Sequence, residues 1–446
     1  MSVEHLMKPG PRALFAGMGL GKTASTLTAF DGLRLLGDAR SMLVVAPLRV
    51  ATLTWPNEIE KWEHTRHLKF ADLRTKTGLK QLDNRSADVY LINYEMLPKF
   101  SRVYLDEVKL FAFDTVVFDE LTAAKNHNSV RINKVRKKLV EARGVQRKWG
   151  LTGTPTPNSP MDLFAQIRLL DGGKRLGPAF AAFRDTYFEA QDYMGYTWLP
   201  KPGAQDKIYG RISDMTLSLP QQEYSGIPLP LVEDVDVKLP DEALEAYNEL
   251  ADELVLLLKD ETTVVANTAA TLSNKLLQIT GGAVYREDKS VAQIHSAKIK
   301  AAAEIARKHR AAGEPVIICC HYKHEQERLF KAIPWAVRFQ DTRDFLHAWN
   351  QKQVPCLVVD PRMLSHGLNM QGGGHRVLWF SVWWSPEIYD QLIGRLARPG
   401  QENRVIVQRI LCPGTIDDAV VEALRQKEHG QRSMMNMLRN FKRLMQ

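Results

Sequence analysis

The sequence predicts an α/β protein: two lobes, each built on a parallel sheet, with a helical insertion between them. Three observations predict it. Short apolar runs alternate with helical patterns near both ends of the chain. That alternation stops in the middle, where the chain turns aromatic and is broken by Gly and Pro. And 446 residues are too many for a single core.

The first lobe is read over residues 1–172. "RALFAG", "SMLVVAPL", "DVYLINYEML", "DTVVFDEL" and "KWGLTGTP" are continuous apolar runs, as strands buried on both faces require. Helical patterns such as "KTASTLTAFDGLRLLG" and "VATLTWPNEIEKW" separate several of them. Residues 173–292 are read as the insertion and linker. There "LPQQEYSGIPLPLVEDVDVKLP" is too rich in proline to be a central strand throughout, since proline supplies no ladder donor, and it reads as an extended connection. Two helical patterns follow, "DEALEAYNELADELVLLLKD" and "ATLSNKLLQITGG". The second lobe, 293–446, resumes the alternation with "PVIICCHY", "CLVVD", "RVLWFS" and "RVIVQRIL" as strands, and ends on a basic, Met-rich helical stretch.

Composition narrows the class. The 44% hydrophobic and 25% charged content is that of an ordinary globular protein. No apolar run is long enough for a transmembrane helix, and "MSVEHLMKPG" is not a secretory signal. The four cysteines lack metal-ligand spacing, sit among apolar residues and read as buried thiols of a reducing compartment. His321 and His366 stand in no ligand spacing either, so no structural zinc is expected. The net charge of +9 favours an acidic partner, nucleic acid first.

The chemistry starts at "FAGMGLGKT". Gly21, Lys22 and Thr23 match the end of GxxxxGK(S/T), with Ala16 at the first glycine position. Small residues such as Gly19, Gly21 and Ala24 let backbone N–H groups turn towards phosphate oxygens. Lys22 would reach the β/γ phosphates, and the Thr23 hydroxyl would ligate Mg²⁺. An ordinary Gly-rich turn is the alternative; the strand before it and the helix after it favour the phosphate cradle. "TVVFDEL" supplies an acidic partner at a strand end: Asp119 for Mg²⁺ and Glu120 to polarise a water. Thr152 and Thr154 in "LTGTPTPN" lie where a γ-phosphate sensor would sit.

In this order the motifs resemble those of superfamily-two helicases, and more narrowly of Swi/Snf-type DNA translocases. "MGLGKT", "VVAPLRVATLTWPNEIEKW", "FDELTAAKN" and "LTGTPTPN" carry the likeness in the first lobe. "VIICCHYKHEQERL", "SHGLNMQGGGHRVLWFSVWWSPEIYDQLIGRLARPGQ" and "GTIDDAVVEALRQKE" carry it in the second. The resemblance implies two RecA-like P-loop lobes that hydrolyse Mg·ATP between them and move along double-stranded DNA. It implies that Gln391, Arg395 and Arg398, at helical spacing on one face, reach the γ-phosphate. It places nucleic acid near Pro47, Tyr94, Thr152, Ser365 and Asn369, with Gly367 allowing a close backbone approach to nucleotide or strand. Trp383 and Trp384 are expected in packing, and "RINKVRKKLVEARGVQRK" is either a solvated face or a DNA-binding one.

Three departures stand out. The acidic box reads Asp-Glu-Leu-Thr, which leaves open how hydrolysis is coupled to DNA. Ala16 replaces a usual acidic residue. And none of the fourteen residues before Phe15 is the glutamine that reads adenine in this family; either base selectivity is poor or the true N-terminus lies upstream. The compact chain is expected to be a minimal bacterial or phage member working in the cytoplasm, in replication, recombination or repair. Two alternatives stay open: an RNA or single-strand helicase, and a DNA-binding scaffold that binds ATP with little turnover.

Overall fold

The computed structural model describes residues 1–100, 102, 113–126, 145–156, 159–190, 198–220, 226–257, 263–340, 342–364, 368–383 and 385–425. The chain divides into two compact units, Met1–Ser225 and Gly226–Gln446. Residues 173–225 thus fall in the first unit and 226–292 in the second.

In the first unit the apolar runs become β1 (Pro11–Ala16), β2 (Met42–Ala46), β4 (Val89–Asn93), β5 (Thr115–Asp119) and β6 (Arg147–Thr152). The short strands β3 (Phe70–Asp72) and β9 (Thr216–Leu219) complete a seven-stranded sheet in the order β3-β4-β2-β5-β6-β1-β9. Among the described residues every pairing in it is parallel. Alternate residues of one strand feed opposite cores: Leu43 and Val45 join one apolar cluster, while Met42, Val44 and Ala46 join the other. This is why the strands read as unbroken apolar runs rather than as alternating ones. The aromatic stretch after residue 172 forms the helices Phe180–Tyr187 and Ala204–Ile212 and a small antiparallel hairpin, β7 (Phe188–Ala190) with β8 (Trp198–Pro200).

The second unit holds a six-stranded parallel sheet. Its strands are β10 (Leu231–Asp236), β13 (Val316–Cys319), β14 (Val337–Arg338), β15 (Cys356–Val359), β16 (Arg376–Trp379) and β17 (Ile406–Leu411). Their order is β10-β17-β16-β13-β15-β14. The stretch read as a linker therefore contains a strand, β10, at the sheet's edge, with the prolines left outside it. A second hairpin pairs β11 (Ala283–Tyr285) with β12 (Val291–Gln293). The helices Asp241–Leu257 and Thr263–Gly281 occur where helical patterns were read.

One buried ion pair ties this unit together. Lys298 Nζ lies 2.6 Å from Asp417 Oδ2, with side chains 1% and 2% exposed. The same carboxylate accepts from the Thr280 hydroxyl and the Cys412 amide, so its lone pairs are well used. The four cysteines are buried and free. No described helix is long and apolar enough to cross a membrane.

Candidate active site

Strands β5, β6 and β1 are neighbours in the first sheet, so their carboxyl ends lie side by side. The P-loop follows β1, the acidic box ends β5, and "LTGTP" ends β6. Sequence positions more than a hundred residues apart meet at one sheet edge.

The loop after β1 needs its glycines for conformation. Gly19 and Gly21 have φ of 77° and 69°, in the left-handed region. Gly21 caps the helix Lys22–Leu35, whose first-turn amides have no partner within the helix. Such amides with the helix dipole form an anion site. The Lys22 ammonium folds back over the loop, donating to the carbonyls of Ala16 (2.8 Å) and Gly17 (3.2 Å). Gly153 stands against it: a Cβ there would lie 3.7 Å from Lys22 Nζ and 3.5 Å from the Ala16 carbonyl oxygen. Thr23 and Ala24 are half-buried in the first turn.

Asp119 is buried at the end of β5. Both carboxylate oxygens are held: Oδ2 accepts from the Trp55 indole at 2.9 Å, and Oδ1 from the Glu120 amide at 3.0 Å. Burial, helped by the neighbouring Glu120 charge, pushes the carboxyl up to about 6, against the pull of the Trp55 bond and the Lys22 charge. Glu120 takes a left-handed conformation, φ 54° and ψ 60°, and starts the 3₁₀ turn Leu121–Ala124. A non-glycine residue there is strained, and such strain collects at functional sites. Thr122 is buried in that turn.

Two residues expected at nucleic acid are enclosed instead. Tyr94 is 4% exposed, and its hydroxyl donates to the Asp119 carbonyl at 3.0 Å. Burial raises that phenol well above its usual range. Thr152 is fully buried, and its hydroxyl accepts from the Thr154 amide at 3.2 Å. Their side chains present nothing at the surface, because each is used to brace the sheet edge. Pro47 is half-buried, and Leu48 beside it is 48% exposed.

In the second unit, Gln391 and Arg395 share the helix Pro386–Leu396, one turn apart. Arg398 does not continue that face. The helix ends at Leu396, before Pro399, which disfavours helical geometry in the residue preceding it. Arg398 is buried and turns back: its guanidinium donates to the carbonyls of Gly394 (2.9 Å) and Leu368 (3.1 Å) and to the Asn369 side chain. Asn369 is exposed, and by accepting from Arg398 it ties the segment Leu368–Met370 to the end of the helix Pro386–Leu396. Gln391 donates to Glu387 at 3.2 Å. Ser365, His366, Gly367, Trp384, the basic stretch 127–144 and the chain after 425 lie outside the described residues. Trp383 stacks on His321, with ring centroids 3.6 Å apart.

The donor set suits Mg²⁺: a hydroxyl at Thr23 and a carboxylate at Asp119, both hard oxygen ligands. It lies in the same sheet edge as the glycine cradle and its lysine. Sequence reasoning placed Trp55 in a motif but gave it no role. Its one signal was an indole in a short helix, because a buried indole N–H needs an acceptor.

A parallel sheet with a glycine cradle, a lysine and an acidic pair at its carboxyl edge defines a P-loop ATPase. The model of the SNF2-related domain matches residues 12–192. The protein p41 of Acyrthosiphon pisum secondary endosymbiont phage 1 is 36% identical over 444 residues, covering 95% of this chain and 94% of p41. YwqA of Bacillus subtilis, named for an ATP-dependent helicase/translocase, is 23% identical over 438 residues; this chain spans only 45% of its length. Among solved structures, the Hef helicase domain of Pyrococcus furiosus shares the fold, with a TM-score of 0.57 at 14% identity, covering 95% of this chain and 96% of that one. The chain belongs to the SNF2-related family of ATP-dependent helicases and translocases.

Proposed function

We propose that this protein is an ATP-driven translocase on double-stranded DNA. One observation carries the reading: the Lys22 cradle after β1 and the Asp119–Glu120 pair at the end of β5 stand at the same carboxyl edge of one sheet, on either side of β6. ATP supplies the free energy. Lys22 binds and offsets phosphate charge, while Thr23 and Asp119 would hold Mg²⁺. Glu120, released from the sheet by its left-handed turn, takes the proton of the attacking water. Arg395, on the helix Pro386–Leu396, carries the arginine-finger role, for which a guanidinium is worth about a thousandfold or more in rate, while Arg398 braces the end of that helix through the Gly394 and Leu368 carbonyls.

DNA is supported by the Swi/Snf-type motif order and by the net charge of +9. The nucleic acid meets the exposed Leu48 turn after Pro47 and the Asn369 region. The likeness to a phage protein supports a role in the cytoplasm of a bacterial or infected cell, in DNA replication, recombination, repair or remodelling.

The test is steady-state ATP hydrolysis with no nucleic acid, duplex DNA, single-stranded DNA or RNA. Duplex DNA should stimulate most strongly, and Lys22→Ala should abolish turnover. Best stimulation by RNA would reassign the substrate, and no hydrolysis under any condition would overturn the reading.

A further inference from the structure

Two parts of the first unit must communicate if DNA is to drive hydrolysis: the surface turn after β2 and the carboxylate at the end of β5. We propose that Trp55 is the positioning residue through which nucleic acid held at the 47–54 turn acts on Asp119. This rests on the translocase reading above.

The two parts start side by side. Strands β2 and β5 pair in register, Val45 opposite Phe118, so the chain leaves β2 next to the acidic box. The turn that follows is exposed at Leu48 and closely bonded within itself. The Ala51 amide donates to the Pro47 carbonyl at 3.0 Å, and the Thr52 hydroxyl to the Leu48 carbonyl at 2.9 Å. Force on Leu48 therefore moves the whole turn.

That turn is π-helical over Val50–Thr54, and the amide that closes it on the Val50 carbonyl is that of Trp55 itself. A π turn holds one residue more than the α turn it replaces, and such turns collect at functional sites. A change of register here would begin at Trp55. Its indole is fully buried and donates to Asp119 Oδ2 at 2.9 Å. Any shift of the turn is thus delivered to one oxygen of that carboxylate. Tyr94 provides a second brace between the same parts: its amide donates to the Ala46 carbonyl at 3.3 Å, and its hydroxyl to the Asp119 carbonyl at 3.0 Å. The acidic turn itself offers no ring at position 122, only a buried threonine.

The experiment measures the ratio of hydrolysis with saturating duplex DNA to hydrolysis without it. Wild type is compared with Trp55→Phe, Trp55→His and Tyr94→Phe, and duplex affinity is measured separately by fluorescence anisotropy. Phenylalanine removes the donor, whereas the far ring nitrogen of histidine reaches about as far as the indole nitrogen. Loss of a buried bond to a charged group predicts a ratio lower by about tenfold or more in Trp55→Phe. Trp55→His should recover part of it. Tyr94→Phe, which deletes one hydroxyl and keeps the ring, should lower the ratio several-fold, and duplex affinity should stay within about twofold throughout. A ratio equal to wild type in all three variants would overturn the coupling and leave the translocase reading standing. So would equal losses with and without DNA that histidine does not relieve, because packing alone predicts that pattern. A wild-type protein that no nucleic acid stimulates would instead overturn the translocase reading, and the coupling with it.

Discussion

Replacing Asp119 by asparagine should make the first unit more stable as the pH rises, relative to wild type. Burial lifts the carboxyl from the ordinary 3.8 to about 6 in the folded protein. A carboxylate raised on folding destabilises the native state when ionised. That penalty is complete above the folded value, shrinks as the pH falls through it, and is gone below the unfolded value. That rise corresponds to about 3 kcal/mol near pH 7.5 and about 1 kcal/mol near pH 4.5. Asparagine adds its own cost, because its amide N–H₂ must face either the Trp55 indole or the Glu120 amide, both donors. That cost does not depend on pH, so the comparison between the two conditions removes it. The stability difference between Asp119→Asn and wild type should move by about 2 kcal/mol in favour of the variant from pH 4.5 to 7.5. For a unit of this size that is about 4–8 °C in Tm. The assay is thermal unfolding of both proteins in EDTA at each pH. A difference that is flat with pH, or that moves the other way, would refute the burial argument.

Two further outcomes follow from single contacts. Lys298→Met leaves Asp417 buried without its cation and should destabilise the second unit by about 3–5 kcal/mol in urea titrations. Although burial opposes it, the pull of Asp417 leaves the ammonium raised, so the pair is intact below its ordinary 10.5 and is lost only at higher pH. The cost of Lys298→Met should therefore be constant between about pH 7 and 9. Gly21→Ala meets no atom within 4 Å but must hold φ at 69°, at a cost of about 1–2 kcal/mol in the phosphate turn. Thermal unfolding of the variant should show a Tm lower by about 2–8 °C, and titration with a fluorescent ADP analogue should show weaker binding.

Much of the fold was legible because parallel strands buried on both faces print themselves as apolar runs. Strands β2, β5, β13 and β15 fall within the runs read from sequence. What escaped was short or at an edge. Phe70–Asp72 and Val337–Arg338 are too brief to show a period, and β10 is mostly exposed and sits among prolines. The spacing of Gln391, Arg395 and Arg398 looked helical throughout, but Pro399 ends the helix early and turns Arg398 inward. The P-loop and acidic box were readable as local strings. The bond from Trp55 to Asp119 was not, because 64 residues separate the partners and only the order of strands brings them together.

A protein that moves along duplex DNA on ATP should strip a third strand from a DNA triplex in its path, and that release can be measured. The protein with ATP should displace the third strand from a long duplex, and it should fail to do so with a non-hydrolysable analogue or with Lys22→Ala. DNA-stimulated hydrolysis without any triplex displacement would contradict that movement.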